Sequence, residues 1–157
     1  MDTHKTYTFE EAKSKLERYC SYQERCHQEV VQKLQKMNMI PQVVDAVVVH
    51  LIEHKFLNEE RYAEAFVRGK FRIKKWGKYR ITQELKQRGI TKNLISSALE
   101  QISEEEYFQT FHDLAEKKAA SILERNPQKK KRKLADYLLY RGWESHLVYD
   151  KVNEVVN

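Results

Sequence analysis

The sequence predicts an all-α protein made of three tandem three-helix units. Glycine and proline are scarce, four and two in 157 residues, and no segment alternates apolar and polar residues as a strand does. The apolar pattern also repeats. Val30-Val31-Gln32-Lys33-Leu34 aligns with Ile81-Thr82-Gln83-Glu84-Leu85 and with Leu134-Ala135-Asp136-Tyr137-Leu138. Four residues after each leucine stands a turn residue, Asn38, Gly89 or Gly142, and nine after it the apolar pattern resumes at Val43, Leu94 or Leu147. A period of roughly fifty residues with helical spacing describes tandem units, which tend to form extended binding surfaces.

The helices follow in order. Thr8 with Glu11 forms a capping box that opens a helix to about Tyr19, and Ser21 with Glu24 opens a second, ending near Met37. Pro41 suits the first turn of a third helix, which buries Val43, Val44, Val47, Val48 and Leu51. Asn58 caps a fourth over Glu59–Arg72, with Tyr62, Ala63, Phe66 and Val67 inward. Lys75-Trp76-Gly77-Lys78 breaks the chain before the helix of Ile81 and Leu85, which Gly89 closes. Thr91 caps the sixth helix, holding Leu94, Ile95, Ala98, Leu99 and Ile102. Ser103 with Glu106 starts a long seventh helix that Asn126-Pro127 stops, and the last two flank Arg141-Gly142-Trp143. Asn38, Gly89 and Gly142 fall where a helix ends left-handed. The expected units are 1–57, 58–103 and 104–157, joined without flexible linkers into an elongated, curved rod.

Charge is distributed unevenly. Residues 67–92 hold ten lysines and arginines against one acid, Glu84, whereas residues 93–124 hold two against seven. The net +6 therefore conceals a basic belt in the middle unit, the footprint of a polyanionic partner. Its residues are Arg68, Lys70, Arg72, Lys74, Lys75, Lys78, Arg80, Lys86 and Arg88. Positions 68, 72 and 75 fall near one helical face, with Lys78 and Arg80 across the turn. Trp76 and Tyr79 interleave with them and are suited to stack on bases, although packing between two units is the preferred reading of either. Lys129-Lys130-Lys131-Arg132-Lys133 is a second cluster, for which a solvated helix start and a functional role weigh equally.

Other motifs carry less. His50-Leu51-Ile52-Glu53-His54 matches H-x-x-E-H, but no further ligand cluster accompanies it, and two histidines in a helix's last turn complement its dipole. Cys20, Cys26 and His27 lack zinc-knuckle spacing; Cys20 reads as core and Cys26 as a partly exposed thiol. Two cysteines, no run of about eighteen apolar residues and the polar opening Met1–Lys5 point to a cytoplasmic protein. No nucleophile elbow or phosphate loop occurs, so the chain reads as a non-enzyme without cofactor or metal.

The stretch Phe56-Leu57-Asn58-Glu59-Glu60-Arg61-Tyr62-Ala63-Glu64-Ala65-Phe66-Val67-Arg68, then Trp76-Gly77 and Arg80-Ile81-Thr82-Gln83-Glu84-Leu85-Lys86-Gln87-Arg88-Gly89-Ile90, resembles the RecX family of bacterial recombination regulators. Asn58 stands where relatives usually have aspartate, and Lys78 replaces the proline common after the glycine. The resemblance implies a negative modulator that lodges in the groove of the RecA filament on single-stranded DNA. It would restrain filament growth, strand exchange, ATP hydrolysis and the co-protease activity behind the SOS response. The expected RecA- and DNA-facing residues are Arg68, Lys70, Arg72, Lys74, Lys75, Lys78, Arg80, Arg88, Lys130 and Arg132. A monomer with weak, non-specific DNA affinity is expected, acting away from membranes. The alternative is a direct DNA-binding protein of helix-turn-helix type, but the third helix of the middle unit carries little basic character after Lys92.

Overall fold

Each predicted helix forms, and the caps explain most of the boundaries. The structure, a computed structural model, describes residues 6–157, so the polar opening Met1–Lys5 lies outside the described residues. Among the described residues it comprises α1 (Phe9–Tyr22), α2 (His27–Lys36), α3 (Pro41–Glu53), α4 (Glu59–Arg72), α5 (Lys78–Gln87), α6 (Lys92–Leu99), α7 (Glu104–Ser121), α8 (Pro127–Tyr140) and α9 (Ser145–Val155). This is a tandem helical repeat. Thr8 and Glu11 form the reciprocal box at α1, while Asn58, Thr91, Ser103 and Asn126 accept the amide three residues on. Asn38, Gly89 and Gly142 take φ of 60°, 77° and 91°, closing α2, α5 and α8 in the left-handed region.

Several boundaries differ from the sequence expectation, and α6 ends at Leu99, so Ile102 lies beyond it although still buried. Ser21 does not open α2, because its hydroxyl donates back to Glu17 O at 2.8 Å and so remains inside α1. The amide of Cys26 instead donates to Glu29 Oε1 at 3.0 Å, so α2 starts five residues later. At the other end, α7 stops at Ser121 rather than at Asn126-Pro127. Ser121 Oγ bonds to Lys118 O, and Ile122 turns extended. Asn126 then caps α8, with Pro127 in its first turn.

The apolar faces assemble into two clusters. Ala12, Leu16, Cys20, Val30, Leu34, Val47 and Leu51 hold α1 to α3 together. The second cluster runs through α4 to α9 and also takes in Cys26. Cys26 is therefore fully buried rather than a partly exposed thiol, its sulfur filling space against the next unit.

Trp143 is the wedge of the larger cluster, with ring centroids 4.7 Å from Tyr107, 5.2 Å from Phe111 and 6.3 Å from Phe71. Here the backbones meet directly. Gly77 N donates to Arg141 O at 2.8 Å, and Tyr79 N to Gly142 O at 3.1 Å. Lys78 N donates to the Tyr107 hydroxyl at 2.9 Å, which in turn donates to Glu144. Gly77 offers α5 no side-chain cap. The first amides of α5 are thus satisfied by groups from α7 and the turn after α8.

Candidate functional site

The chain between α4 and α5 sets the positive charges in place. Trp76 is 9% exposed and meets Phe66 edge-on at 6.3 Å. Lys70 Nζ lies 5.0 Å from the Trp76 ring and 5.4 Å from that of Phe66. On the other side the Arg80 guanidinium sits 4.0 Å from Trp76 and 4.7 Å from Tyr140, and donates to Tyr140 O at 3.3 Å. Lys78 Nζ stands 4.6 Å from the Tyr107 ring. Aromatic faces thus hold these cations, and among the described residues none of the three has a carboxylate oxygen within 4.0 Å. An aromatic face fixes a cation for about 0.5–2 kcal/mol without cancelling its charge, which stays available to an anion.

The remaining predicted residues are placed differently. Arg68 donates to Gln101 Oε1 at 3.0 Å, and Arg72 pairs with Glu106 at 3.4 Å, tying both toward α6 and α7. Lys75 follows the end of α4 with φ 59°, so it does not share a helical face with Arg68 and Arg72. Lys74 and Lys75 are exposed, and their carbonyls accept from Arg141 Nη1 at 2.7 Å and Trp143 Nε1 at 3.1 Å. Arg88 pairs with Glu84 at 3.1 Å and faces a cleft of about 330 Å³ shared with Glu24, Glu29 and Tyr62. Lys130 and Arg132 occupy the first half of α8, about 15 and about 12 Å along its axis from Tyr140 at about 1.5 Å per residue. The structure therefore brings Lys70 and Arg80 together on Trp76, seats Lys78 apart on Tyr107, and leaves the other seven around them.

Arg141 joins this group, its guanidinium 4.6 Å from Tyr137 and without a carboxylate partner among the described residues. Sequence reasoning missed it, although it precedes Gly142 as Arg88 precedes Gly89. Of the two aromatics expected to pack between units, Trp76 is buried beneath Lys70 and Arg80, whereas Tyr79 is 64% exposed. The wedge is Trp143.

The other motifs have local roles. His50 Nε2 bonds Glu17 Oε2 at 2.6 Å, and His54 Nδ1 lies 3.0 Å from His50 O, the two rings 4.2 Å apart. Among the described residues no group of three His, Cys, Asp or Glu side chains is arranged to hold a metal. Both cysteines are free and buried, and burial pushes the Cys20 thiol up to about 11. The outer face of α6 presents Lys92, Asn93, Ser96 and Ser97. No helix among the described residues is long and apolar enough to cross a membrane.

The second three-helix domain of RecX matches residues 58–99, and the third three-helix domain matches residues 104–152. The chain is 34% identical over 116 residues to the regulatory protein RecX of Yersinia enterocolitica, covering 74% of this chain and 68% of that one. It is 30% identical to the RecX of Oceanobacillus iheyensis over 92% of its own length, but spans only 51% of that relative. A solved structure of regulatory protein RecX superposes with a TM-score of 0.82 at 25% identity, over 93% of this chain and 73% of that one. The RecX crystal structure from Lactobacillus salivarius gives 0.78 at 24% identity over 94% and 96%, a likeness of fold. The chain belongs to the RecX family of regulatory proteins.

Proposed function

We propose that this protein is a negative modulator of RecA that binds the RecA filament on single-stranded DNA, and that it acts without chemistry of its own. The observation that carries this reading is the set of cations, Lys70, Lys78 and Arg80, seated on aromatic rings and unpaired with carboxylates. Such charges attract a polyanion or an acidic protein groove, and the attraction is graded by salt. Seating on rings also reduces the ordering entropy the side chains would otherwise lose on binding. Units at 1–57, 58–103 and 104–157, working as a monomer in the cytoplasm, would let one chain touch neighbouring filament subunits. Binding that favours one filament state shifts assembly by the difference in affinity. Strand exchange, ATP hydrolysis and SOS co-protease activity would fall together, because each needs the extended filament.

Sequence-specific DNA reading has weaker support. The exposed face of α6 has no arginine, and serines occupy its middle. The test is ATP hydrolysis by RecA on single-stranded DNA, titrated with this protein beside a binding titration on the same DNA alone. Inhibition well below the concentration that coats bare DNA is expected. Inhibition only once bare DNA is saturated would replace this reading with competition for the strand.

A further inference from the structure

The two joints of the chain are built differently. Between α4–α6 and α7–α9, Trp143 packs on Phe71, Tyr107 and Phe111, and one apolar cluster runs through both sets of helices. The backbones also bond directly there, Gly77 N to Arg141 O and Tyr79 N to Gly142 O. Between α1–α3 and α4–α6 the apolar clusters part. Among the described residues of the first three helices and their connections, Cys26 alone joins the larger cluster, and no residue from α4 onward joins the smaller one. The hydrogen bonds across this joint run through side chains. Arg61 Nε pairs with Glu24 Oε2, and Arg61 Nη2 donates to Lys55 O at 3.0 Å and to Phe56 O at 3.2 Å. The His27 amide donates to Glu59 Oε2 at 3.1 Å.

Such a joint holds weakly. The Arg61 and Glu24 side chains are 43% and 27% exposed, so salt reaches and screens their pair. The other Glu24 oxygen, Oε1, is buried without a donor from the protein, a cost that opening the joint relieves. Packing is incomplete as well, since a cleft of about 330 Å³ separates Glu24 and Glu29 from Tyr62, Phe66 and Arg88. Leu57 is anchored in the smaller cluster and Tyr62 in the larger. The chain can therefore bend at Asn58 and the first turn of α4, where few residues have to absorb the change.

From this contrast we infer a salt-sensitive hinge between α3 and α4. Helices α4–α9 move as one body, and α1–α3 swing against it when the Glu24–Arg61 pair is lost. Arg61 is the pin, because one guanidinium holds both the Glu24 carboxylate and the carbonyls of Lys55 and Phe56. The hinge does not depend on which partner the chain binds; it sets the angle at which the first three helices meet that partner.

The test is the residual dipolar couplings of backbone amides in the full chain labelled with nitrogen-15 and aligned in an uncharged gel. Spectra are compared at about 0.1 M and about 1 M sodium chloride, between which the Debye length falls from about 10 Å to about 3 Å. Separate alignment tensors are fitted to α1–α3, α4–α6 and α7–α9, and a swinging body averages its couplings toward zero. The two later sets should share one tensor at both salt concentrations, while the α1–α3 tensor should shrink relative to theirs in the higher salt. Arg61→Gln should produce that shrinkage already in the lower salt. Glu24→Gln, which keeps the side chain's shape and the carbonyl contacts of Arg61, should do so more mildly. One tensor common to all nine helices in the parent at both salt concentrations and in Glu24→Gln would overturn the inference, as would α7–α9 separating from α4–α6. A smaller α1–α3 tensor that ignores both salt and the substitutions would also overturn it, since the Glu24–Arg61 pair would then not be the latch.

Discussion

Gly77 has no room for a side chain. A Cβ there would lie 2.6 Å from the carbonyl carbon of Gly142 and 2.7 Å from Trp143 Cα, both backbone atoms that cannot swing aside. Gly142 is held from the other direction, since its Cβ would stand 2.8 Å from Arg80 Cα and its φ is 91°. Gly69 lies within α4 with nothing near the added carbon. Gly77→Ala should therefore cost about 2 kcal/mol or more in urea unfolding, while Gly69→Ala should add about 0.5–1 kcal/mol through helix propensity. Equal effects would mean that the turns do not meet. Cys20 gives a second prediction, in alkali. Burial raises its thiol from 9 to about 11, so the unfolded chain releases this proton first as pH rises. The stability it contributes is complete below pH 9 and is lost as pH climbs through about 11. Cys20→Ala should show a shallower loss of urea stability than the parent over that window, and parallel curves would refute the assignment.

At the level of helices, most starts were legible because a cap acts on its own neighbourhood. Thr8, Asn58, Thr91, Ser103 and Asn126 each accept from the amide three residues on, a relation that sequence spacing records. Ser21 misled because its hydroxyl had a competing acceptor one turn back. The start of α5 was legible only as a break. Its amides find partners in Tyr107 and Gly142, far along the chain, and no local pattern reports them. That dependence can be measured. Tyr107→Phe removes the acceptor of Lys78 N and the donor to Glu144 while preserving the ring, and should cost about 1–3 kcal/mol. Tyr79→Phe, at an exposed ring, should change urea stability by less than about 0.5 kcal/mol. A stable Tyr107→Phe would place the capping of α5 elsewhere.

Across the molecule, the repeat was legible because the same turn chemistry recurs at Asn38, Gly89 and Gly142, and all three adopt the left-handed conformation. The candidate site was only half legible. Composition located the basic belt, but the partition within it depends on tertiary neighbours. Glu106 and Gln101 engage Arg72 and Arg68, Glu84 engages Arg88, and Trp76, Tyr107 and Tyr140 seat Lys70, Lys78 and Arg80. The central claim is that these ring-seated cations carry binding to the filament. It is tested most directly by the affinity of the triple variant Lys70→Gln, Lys78→Gln, Arg80→Gln for RecA filaments on single-stranded DNA, measured across a salt series beside the parent. At about 0.5–1 kcal/mol per charge, the variant should bind about tenfold to a hundredfold more weakly at low salt, with a shallower salt dependence. A variant that stays folded and binds as tightly as the parent at every salt concentration would contradict the account.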